Sequence, residues 1–137
     1  GFPGETSAQF LESYRLCKRL GFAGMHVFPY SVRPGTSAAH FGNSVDNLEK
    51  RARMKKVLSL AKRQARIYRQ GLLGITKNVL WEHSAQVGRS TIWSGLTDNY
   101  VRVATLSDEP LRNRITEVTL EQLRGDTLWG RIPTRVC

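Results

Sequence analysis

Residues 74–97 read GITKNVLWEHSAQVGRSTIWSGLT, and here the spacing of the apolar residues changes from a helical period to a strand period. Val79 and Trp81 indicate a first strand, because alternate side chains of a strand share one face. A turn is predicted at Gly88, and residues 91–97 predict a second strand. The stretch therefore opens an all-β unit.

Further short strands follow toward the C-terminus. The second strand is expected to continue through residues 100–103 after a bulge at residues 98–99. Residues 111–120 and 127–132 predict two more strands, each preceded by a turn. Several short strands at regular spacing predict a small closed β-barrel, because closure removes the exposed edges of a sheet.

The N-terminal part of the chain predicts a helix followed by a strand. Thr6 and Gln9 fit a capping box, residues 7–20 keep a helical period, and Gly21 supplies a left-handed stop. Residues 25–30 predict a short strand that a proline ends. Turn, helix and strand make up most of a βαβ crossover, so we expect a parallel strand to precede the first residue.

A loop is predicted over residues 31–43 and a long helix over residues 45–68. One stripe of this helix is apolar, and we expect it to pack on the barrel. Its members are Met54, Val57, Leu58, Ala61, Ala65 and Tyr68.

The net charge of +10 is concentrated on this helix. Residues 1–70 hold 13 basic and 4 acidic residues, whereas residues 71–137 hold 8 and 7. Such an excess favours a polyanionic partner, although a membrane surface and a merely solvated helix face are alternatives. We expect the basic stripe and the barrel to form one continuous surface that faces this polyanion. This stripe consists of Arg51, Lys55, Lys62, Arg66 and Arg69.

The cysteine and histidine residues show no metal motif. Cys17 and Cys137 are far apart and lack a second thiol or a histidine nearby, so we expect neither a metal site nor a disulfide framework. Two unpaired cysteines favour the reducing cytoplasm, and no membrane span or signal peptide is visible. Structural or surface roles are expected for His26, His40 and His83.

Six sequence pieces, in this order, resemble the C-terminal part of the radical S-adenosylmethionine methylthiotransferases. The variant HVFPYS with RPGT is most similar to the branch that modifies N6-threonylcarbamoyladenosine beside the tRNA anticodon. Sister branches act on isopentenyladenosine or on a ribosomal-protein aspartate. The pieces are GFPGET (1–6), HVFPYSVRPGTSAA (26–39), VLWE (79–82), GLTDNYVRV (95–103), LRNRITEV (111–118) and GDTLWGRI (125–132).

The resemblance implies an α/β remnant of a partial (β/α) radical-SAM barrel, then a long basic helix, then a five-stranded all-β barrel. Residues 1–43 would be the end of the catalytic barrel. Residues 44–71 would be the connecting basic amphipathic helix, and residues 72–133 an OB-like, RNA-binding TRAM domain. The implied partner is tRNA, and we expect a monomer with no membrane and no protein partner.

The resemblance also implies that the parent protein carries two 4Fe-4S clusters and S-adenosylmethionine. Clusters need cysteine thiolates, and this sequence lacks the family's CxxxCxxC loop. We therefore expect no cofactor, no metal and no catalytic residue in this chain, which alone would be inactive. The chain would be the tRNA-binding piece of an enzyme that adds a methylthio group to C2 of the modified adenosine. The alternative is a stand-alone RNA-binding module.

Cofactor-adjacent residues are implied near the N-terminus, each with a structural alternative. Glu5 would otherwise belong to a strand-to-helix turn, Val27 and Phe28 would be barrel core, and Arg33 would fix its loop. The implied set is Gly1, Gly4, Glu5, Val27, Phe28 and Arg33.

RNA-binding candidates on the barrel are cations, which neutralise phosphates, and one tyrosine, which stacks on an unpaired base. Asn99 is expected to serve the bulge, and Trp81, Trp93 and Trp129 to be core or rim residues rather than base-stacking ones. The candidates are Lys77, Arg89, Tyr100, Arg102, Arg112 and Arg114.

Overall fold

The computed structural model describes residues 1–133 and divides into two compact units, residues 1–68 and the residues from 69 onward. The described residues hold two α-helices, one short 3-10 helix at Ser37–His40 and five strands. The bounds are α1 Ser7–Leu20, α2 Asn47–Gln70, β1 Thr76–Val87, β2 Ser90–Thr97, β3 Arg102–Leu106, β4 Ile115–Arg124 and β5 Thr127–Arg131.

Helix α1 has the predicted bounds because its caps are encoded locally. The Thr6 hydroxyl oxygen accepts from the Gln9 backbone N–H at 3.2 Å, and the Thr6 N–H donates to Gln9 Oε1 at 2.9 Å. Gly21 ends the helix at φ 64°, and its N–H donates to the Cys17 carbonyl. A side chain is strained at this left-handed φ, so glycine suits the position.

The strand predicted over residues 25–30 is wrong, because these residues carry no strand assignment. A strand needs a neighbour to satisfy its backbone groups, and no strand of the described chain pairs with this segment. Phe28 is 81% exposed, so it is not core within this chain. The predicted loop over 31–43 also contains one turn of 3-10 helix.

Helix α2 exists as predicted, but its buried face is rotated from the predicted apolar stripe. Leu58 is 38% exposed, whereas two polar residues, Arg53 and Gln64, are buried beside Leu60 and Ala61. Gln64 Nε2 donates to the carbonyls of Cys17 and Lys18 at 2.9 and 3.0 Å. These bonds satisfy backbone oxygens at the end of α1, so burial of the amide follows from hydrogen bonding.

The strands of the second unit close into a barrel in the order β1-β2-β3-β5-β4. Strand β1 pairs antiparallel with β2 and with β4, so that Val79 lies between Thr97 and Thr116. Strands β3 and β5 pair in parallel, and β4 pairs antiparallel with β5. The predicted turn at Gly88 is confirmed, since Val87 pairs with Ser90 across it. This connectivity is consistent with an OB-like all-β domain.

The bulge predicted at residues 98–99 is wrong, because the chain reverses direction there. Strands β2 and β3 are antiparallel, with Leu96 opposite Arg102. The Tyr100 N–H donates to the Thr97 carbonyl at 3.0 Å, and Tyr100, not Asn99, has the left-handed φ of this turn, at 59°. Asn99 instead accepts a hydrogen bond from the Thr97 hydroxyl.

The bounds of the last two strands differ from the predicted ones, and β4, at Ile115–Arg124, lies four residues later than the predicted 111–120. Strand β4 begins at Ile115, because residues 111–114 form a turn in which Asn113 has φ 59°. The Arg114 N–H donates to the Leu111 carbonyl there, and Leu111 is buried. Strand β5 ends at Arg131, one residue before the predicted end.

The barrel core consists of side chains that point inward from each strand. Trp81 is fully buried, and its Nε1–H donates to Thr116 Oγ1 at 2.8 Å, so the indole nitrogen keeps a partner. Gly95 faces Trp81 at the point where β1 carries a bulge, and a Cβ on Gly95 would overlap the Leu80 carbonyl. The other fully buried large residues of the barrel are Val79, Val103, Val118, Leu120 and Leu128.

Candidate nucleic-acid interface

The basic stripe of α2 is largely exposed. Arg51, Lys55, Lys62 and Arg66 are all exposed, and none of them forms an ion pair within residues 1–133. At ~100° per residue they lie within a sector of about 60°. Four cations without carboxylate partners on one helix face produce a positive potential that would attract a polyanion.

Arg69, the fifth member of the predicted stripe, is engaged within its own unit. Its Nη1 donates to Asp126 Oδ1 at 3.0 Å, and its side chain is only partly exposed. A phosphate would have to compete with this carboxylate. The structure therefore makes Arg69 a weaker candidate than the other four.

The barrel candidates are exposed with one exception. Lys77 is half-buried, and its Nζ lies 3.5 Å from Asp98 Oδ1. This contact brings Lys77 to the turn that presents Tyr100, whose side chain is 85% exposed. The remaining candidates, all exposed arginines, are Arg89, Arg102, Arg112 and Arg114.

An outward-facing row of side chains crosses four strands of the barrel, and the sequence analysis did not predict it. Arg102, Leu96, Leu80 and Ile115 are successive neighbours across β3, β2, β1 and β4. Leu80 and Ile115 are 41% and 67% exposed. Alternation from the buried Val79 could have indicated that Leu80 points outward.

The three tryptophans have different environments. Trp81 and Trp93 are buried, in agreement with the predicted core role, and Trp93 Nε1 donates to the Ser107 carbonyl at 3.3 Å. Trp129 is only half-buried, and the guanidinium carbon of Arg124 lies 4.5 Å from its ring centroid. Arg124 was not among the sequence candidates.

Glu5 is held by a buried arginine of α2. Arg53 Nη1 donates to Glu5 Oε2 at 2.6 Å and to the Glu5 carbonyl at 3.1 Å, while Arg53 Nε donates to Glu49 Oε1 at 2.9 Å. Burial raises the pKa of Glu5, but hydrogen bonds and charges from the Gly1 ammonium and Arg53 outweigh it and leave the pKa lowered. Burial likewise lowers the pKa of Arg53, and the bonds to Glu49 and Glu5 leave it raised.

Four of the six residues implied to be cofactor-adjacent line one cavity of about 220 Å³: Gly1, Glu5, Val27 and Phe28. Gly4 and Arg33 do not line it. A Cβ on Gly1 would meet the Lys50 side chain, whereas the surroundings of Gly4 are open and its φ is 80°. The cofactor-adjacent role of these residues stays a prediction.

Iron–sulfur ligation does not fit the residues present. Cys17 is half-buried, and Cys137 lies outside the described residues. Within residues 1–133 no group of three or more His, Cys, Asp or Glu side chains is positioned to hold a metal ion. A 4Fe-4S cluster is held by a set of cysteine thiolates, and the described residues contain only the Cys17 thiol.

Among residues 1–133, no helix is both long and apolar enough to span a bilayer.

Known tRNA-modifying enzymes are similar in sequence to this protein over nearly its whole length. The chain is 32% identical over 121 residues to the threonylcarbamoyladenosine tRNA methylthiotransferase MtaB of Bacillus subtilis, and the alignment covers 88% of this chain and 27% of the relative. It is 31% identical to MtaB of Thermotoga maritima, covering 98% of this chain and 32% of the relative.

A second kind of tRNA enzyme is similar at the same level. The tRNA-2-methylthio-N6-dimethylallyladenosine synthase of Vesicomyosocius okutanii is 30% identical over 136 residues, which is 99% of this chain and 30% of the relative. The chain thus spans about a third or less of the length of these relatives. The sequence matches no protein-family model.

Proposed function

This chain is homologous to the tRNA methylthiotransferases, and we propose that it is the C-terminal, RNA-docking part of such an enzyme. Residues 72–133 would be the TRAM domain, and residues 1–43 the end of the radical-SAM barrel. The observation that carries the proposal is that Arg51, Lys55, Lys62 and Arg66 of α2 are exposed and form no ion pair within residues 1–133, in a chain whose relatives modify tRNA. The barrel cations and Tyr100 add phosphate and base contacts.

The parent enzyme would place a methylthio group on C2 of N6-threonylcarbamoyladenosine, next to the anticodon. The HVFPYS and RPGT pieces and the 32% identical MtaB relative support this nucleoside. The dimethylallyladenosine enzymes, at 30% to 31% identity, support the second candidate. A tRNA substrate implies that the parent enzyme acts in the cytoplasm. We expect the docking chain to act as a monomer.

The nucleoside assignment is tested by disrupting the parent gene and measuring modified nucleosides of total tRNA by mass spectrometry. We expect 2-methylthio-threonylcarbamoyladenosine to disappear and its precursor to accumulate. Loss of the methylthio form of dimethylallyladenosine instead would favour the second candidate. Unchanged levels of both nucleosides would contradict the proposed reaction.

The radical chemistry would be supplied by clusters and S-adenosylmethionine bound elsewhere in the parent. This chain would bind and orient the tRNA, and alone it would not turn over. Incubating the chain with iron and sulfide under reducing conditions tests this division. A stoichiometric 4Fe-4S absorption spectrum on this chain would contradict it.

Docking itself is tested by measuring the affinity of the 137-residue chain for tRNA at several salt concentrations. Phosphate contacts release counterions, so the logarithm of the association constant should fall linearly with the logarithm of the salt concentration. A chain that shows no saturable binding at low salt would not be a docking unit.

A further inference from the structure

A groove of about 710 Å³ lies on the barrel between the end of β3, the loop after it and strands β4 and β5. Strands β3 and β5 pair in parallel at Val103–Leu128 and Ala104–Trp129. Residues that follow these pairs, among them Leu106 of β3 and Arg131 of β5, line the groove. Of the RNA candidates named from the sequence, Arg114 lines it.

The groove contains an aromatic ring that is not fully buried in the barrel core. Trp129 lines it and is half-buried, whereas Trp81 and Trp93 are buried. The guanidinium of Arg124 lies over the Trp129 ring, with its carbon 4.5 Å from the centroid. This distance is within the range of a cation–π contact.

The position of Arg124 is fixed by a second contact. Its Nε and Nη2 both donate to Gln122 Oε1, at 3.1 and 2.8 Å. Gln122 lies directly opposite Trp129 in the β4–β5 ladder. Arg124, Gln122 and Trp129 therefore form a platform whose contacts exist before any ligand arrives, which lowers the ordering cost of binding.

The charge of the lining decides between a phosphate and a base as ligand. Arg114, Arg124 and Arg131 line the groove together with Glu109 and Glu121, and Arg131 Nε donates to Glu121 Oε1 at 3.2 Å. One of the three guanidinium groups is thus paired, and two carboxylates in the same lining disfavour a site dedicated to phosphate. A neutral planar ligand suits the same lining.

We propose that this groove binds an unpaired nucleobase of RNA, stacked on the platform of Trp129 and Arg124. Unpaired bases stack on aromatic rings and on guanidinium planes, and a base inside a duplex has both of its faces covered. Arg114 at the groove then meets a flanking phosphate. The inference rests on the proposed function, because it names the feature of the RNA that the docking unit recognises.

The test uses the whole chain and a single-stranded RNA of roughly eight nucleotides, a length within the usual site size of an OB-like barrel. The same strand annealed into a duplex is the second probe. Trp129→Leu removes the stacking ring but keeps apolar volume, and Arg124→Gln removes the guanidinium. Arg15→Gln, on an exposed arginine of α1, is the matched control.

We expect both groove variants to bind the single strand about 10-fold more weakly than the unchanged chain, a loss within the range that one stacked base contributes. Arg15→Gln should bind as the unchanged chain does, and the duplex should bind more weakly than the single strand. The single strand should quench tryptophan fluorescence in the unchanged chain, and this quenching should vanish in Trp129→Leu.

Groove variants that bind like the control, or a quenching that persists in Trp129→Leu, would overturn the inference while leaving the docking function intact. If the unchanged chain binds no RNA of either kind, the docking function fails and the inference fails with it. Buried Trp81 and Trp93 report whether the variant barrels are folded. If Trp129→Leu does not fold, the affinity of Arg124→Gln decides.

Discussion

Arg53 illustrates at the scale of one residue how a charge on a basic helix is used for structure. It is buried between Glu5 and Glu49, whereas Arg51, two positions earlier, is exposed. We expect Arg53→Leu to lower the free energy of unfolding by about 2 kcal/mol, because Glu5 keeps its charge and loses the guanidinium, so that of these two cations only the Gly1 ammonium remains. Urea unfolding followed by circular dichroism measures the change. Arg51→Leu, the control, should stay within about 0.5 kcal/mol of the unchanged chain; equal effects of the two variants would contradict the assignment.

The lowered pKa of Glu5 predicts that the free energy of unfolding of the chain decreases in acid. Its pKa is lowered from the ordinary value of 4.5, so its stabilising contribution is complete above that value and is lost as the pH falls through the lowered pKa. The unchanged chain should therefore be more stable than Glu5→Gln at neutral pH, and the difference should shrink in acid. Urea unfolding of both chains across this pH range measures it. A stability difference that stays constant or grows toward acid pH would refute the pairing.

At the scale of the element, the β1 bulge depends on a glycine in β2. A Cβ on Gly95 would overlap the Leu80 carbonyl, whereas a Cβ on Gly42 would meet nothing within 4 Å. We expect Gly95→Ala to destabilise the barrel by about 2 kcal/mol, because the strands would have to separate. Tryptophan fluorescence during urea unfolding reports the barrel, since all three tryptophans lie in it. Gly42→Ala is the control, and a Gly95→Ala barrel of unchanged stability would argue against the close packing described.

The basic stripe of α2 gives a prediction about binding. Charge reversal of Lys55, Lys62 and Arg66 to glutamate should weaken tRNA binding more than 10-fold at low salt. The slope of the logarithm of the association constant against the logarithm of the salt concentration should become shallower by about two units or more. Reversal of three cations on α1 is the matched control for net charge and should have the smaller effect. Equal losses in both triple variants would show that total charge, and not this helix face, determines binding. The control residues are Arg15, Lys18 and Arg19.

Elements with local signals were predictable from the sequence, and elements that depend on distant partners were not. The caps of α1 and the turn at Gly88 are encoded within a few residues. The strand predicted over 25–30 needs a neighbour that the described chain does not provide. The buried face of α2 was misplaced because Gln64 is buried by its bonds to the α1 carbonyls, a contact across 46 and 47 residues of sequence. No hydrophobic periodicity contains that information.

For the molecule as a whole, the family resemblance was predictable from the sequence, and the comparisons confirm it. The exposed basic stripe of α2 was also predictable, apart from Arg69 and its Asp126 partner. The groove at Trp129 was not, because three tryptophans with similar strand contexts differ only in their three-dimensional burial. Arg124 was missed because its contact with Trp129 depends on the β4–β5 register, which places Gln122 opposite Trp129.

The central claim is that this chain docks tRNA, and fluorescence anisotropy of labelled tRNA against the 137-residue chain tests it most directly. The titration is repeated as salt rises from about 50 to about 200 mM, the range over which phosphate contacts lose most of their strength. We predict saturable binding at the lowest salt, and an affinity that falls steadily across the range. An absence of saturable binding at the lowest salt would contradict the account.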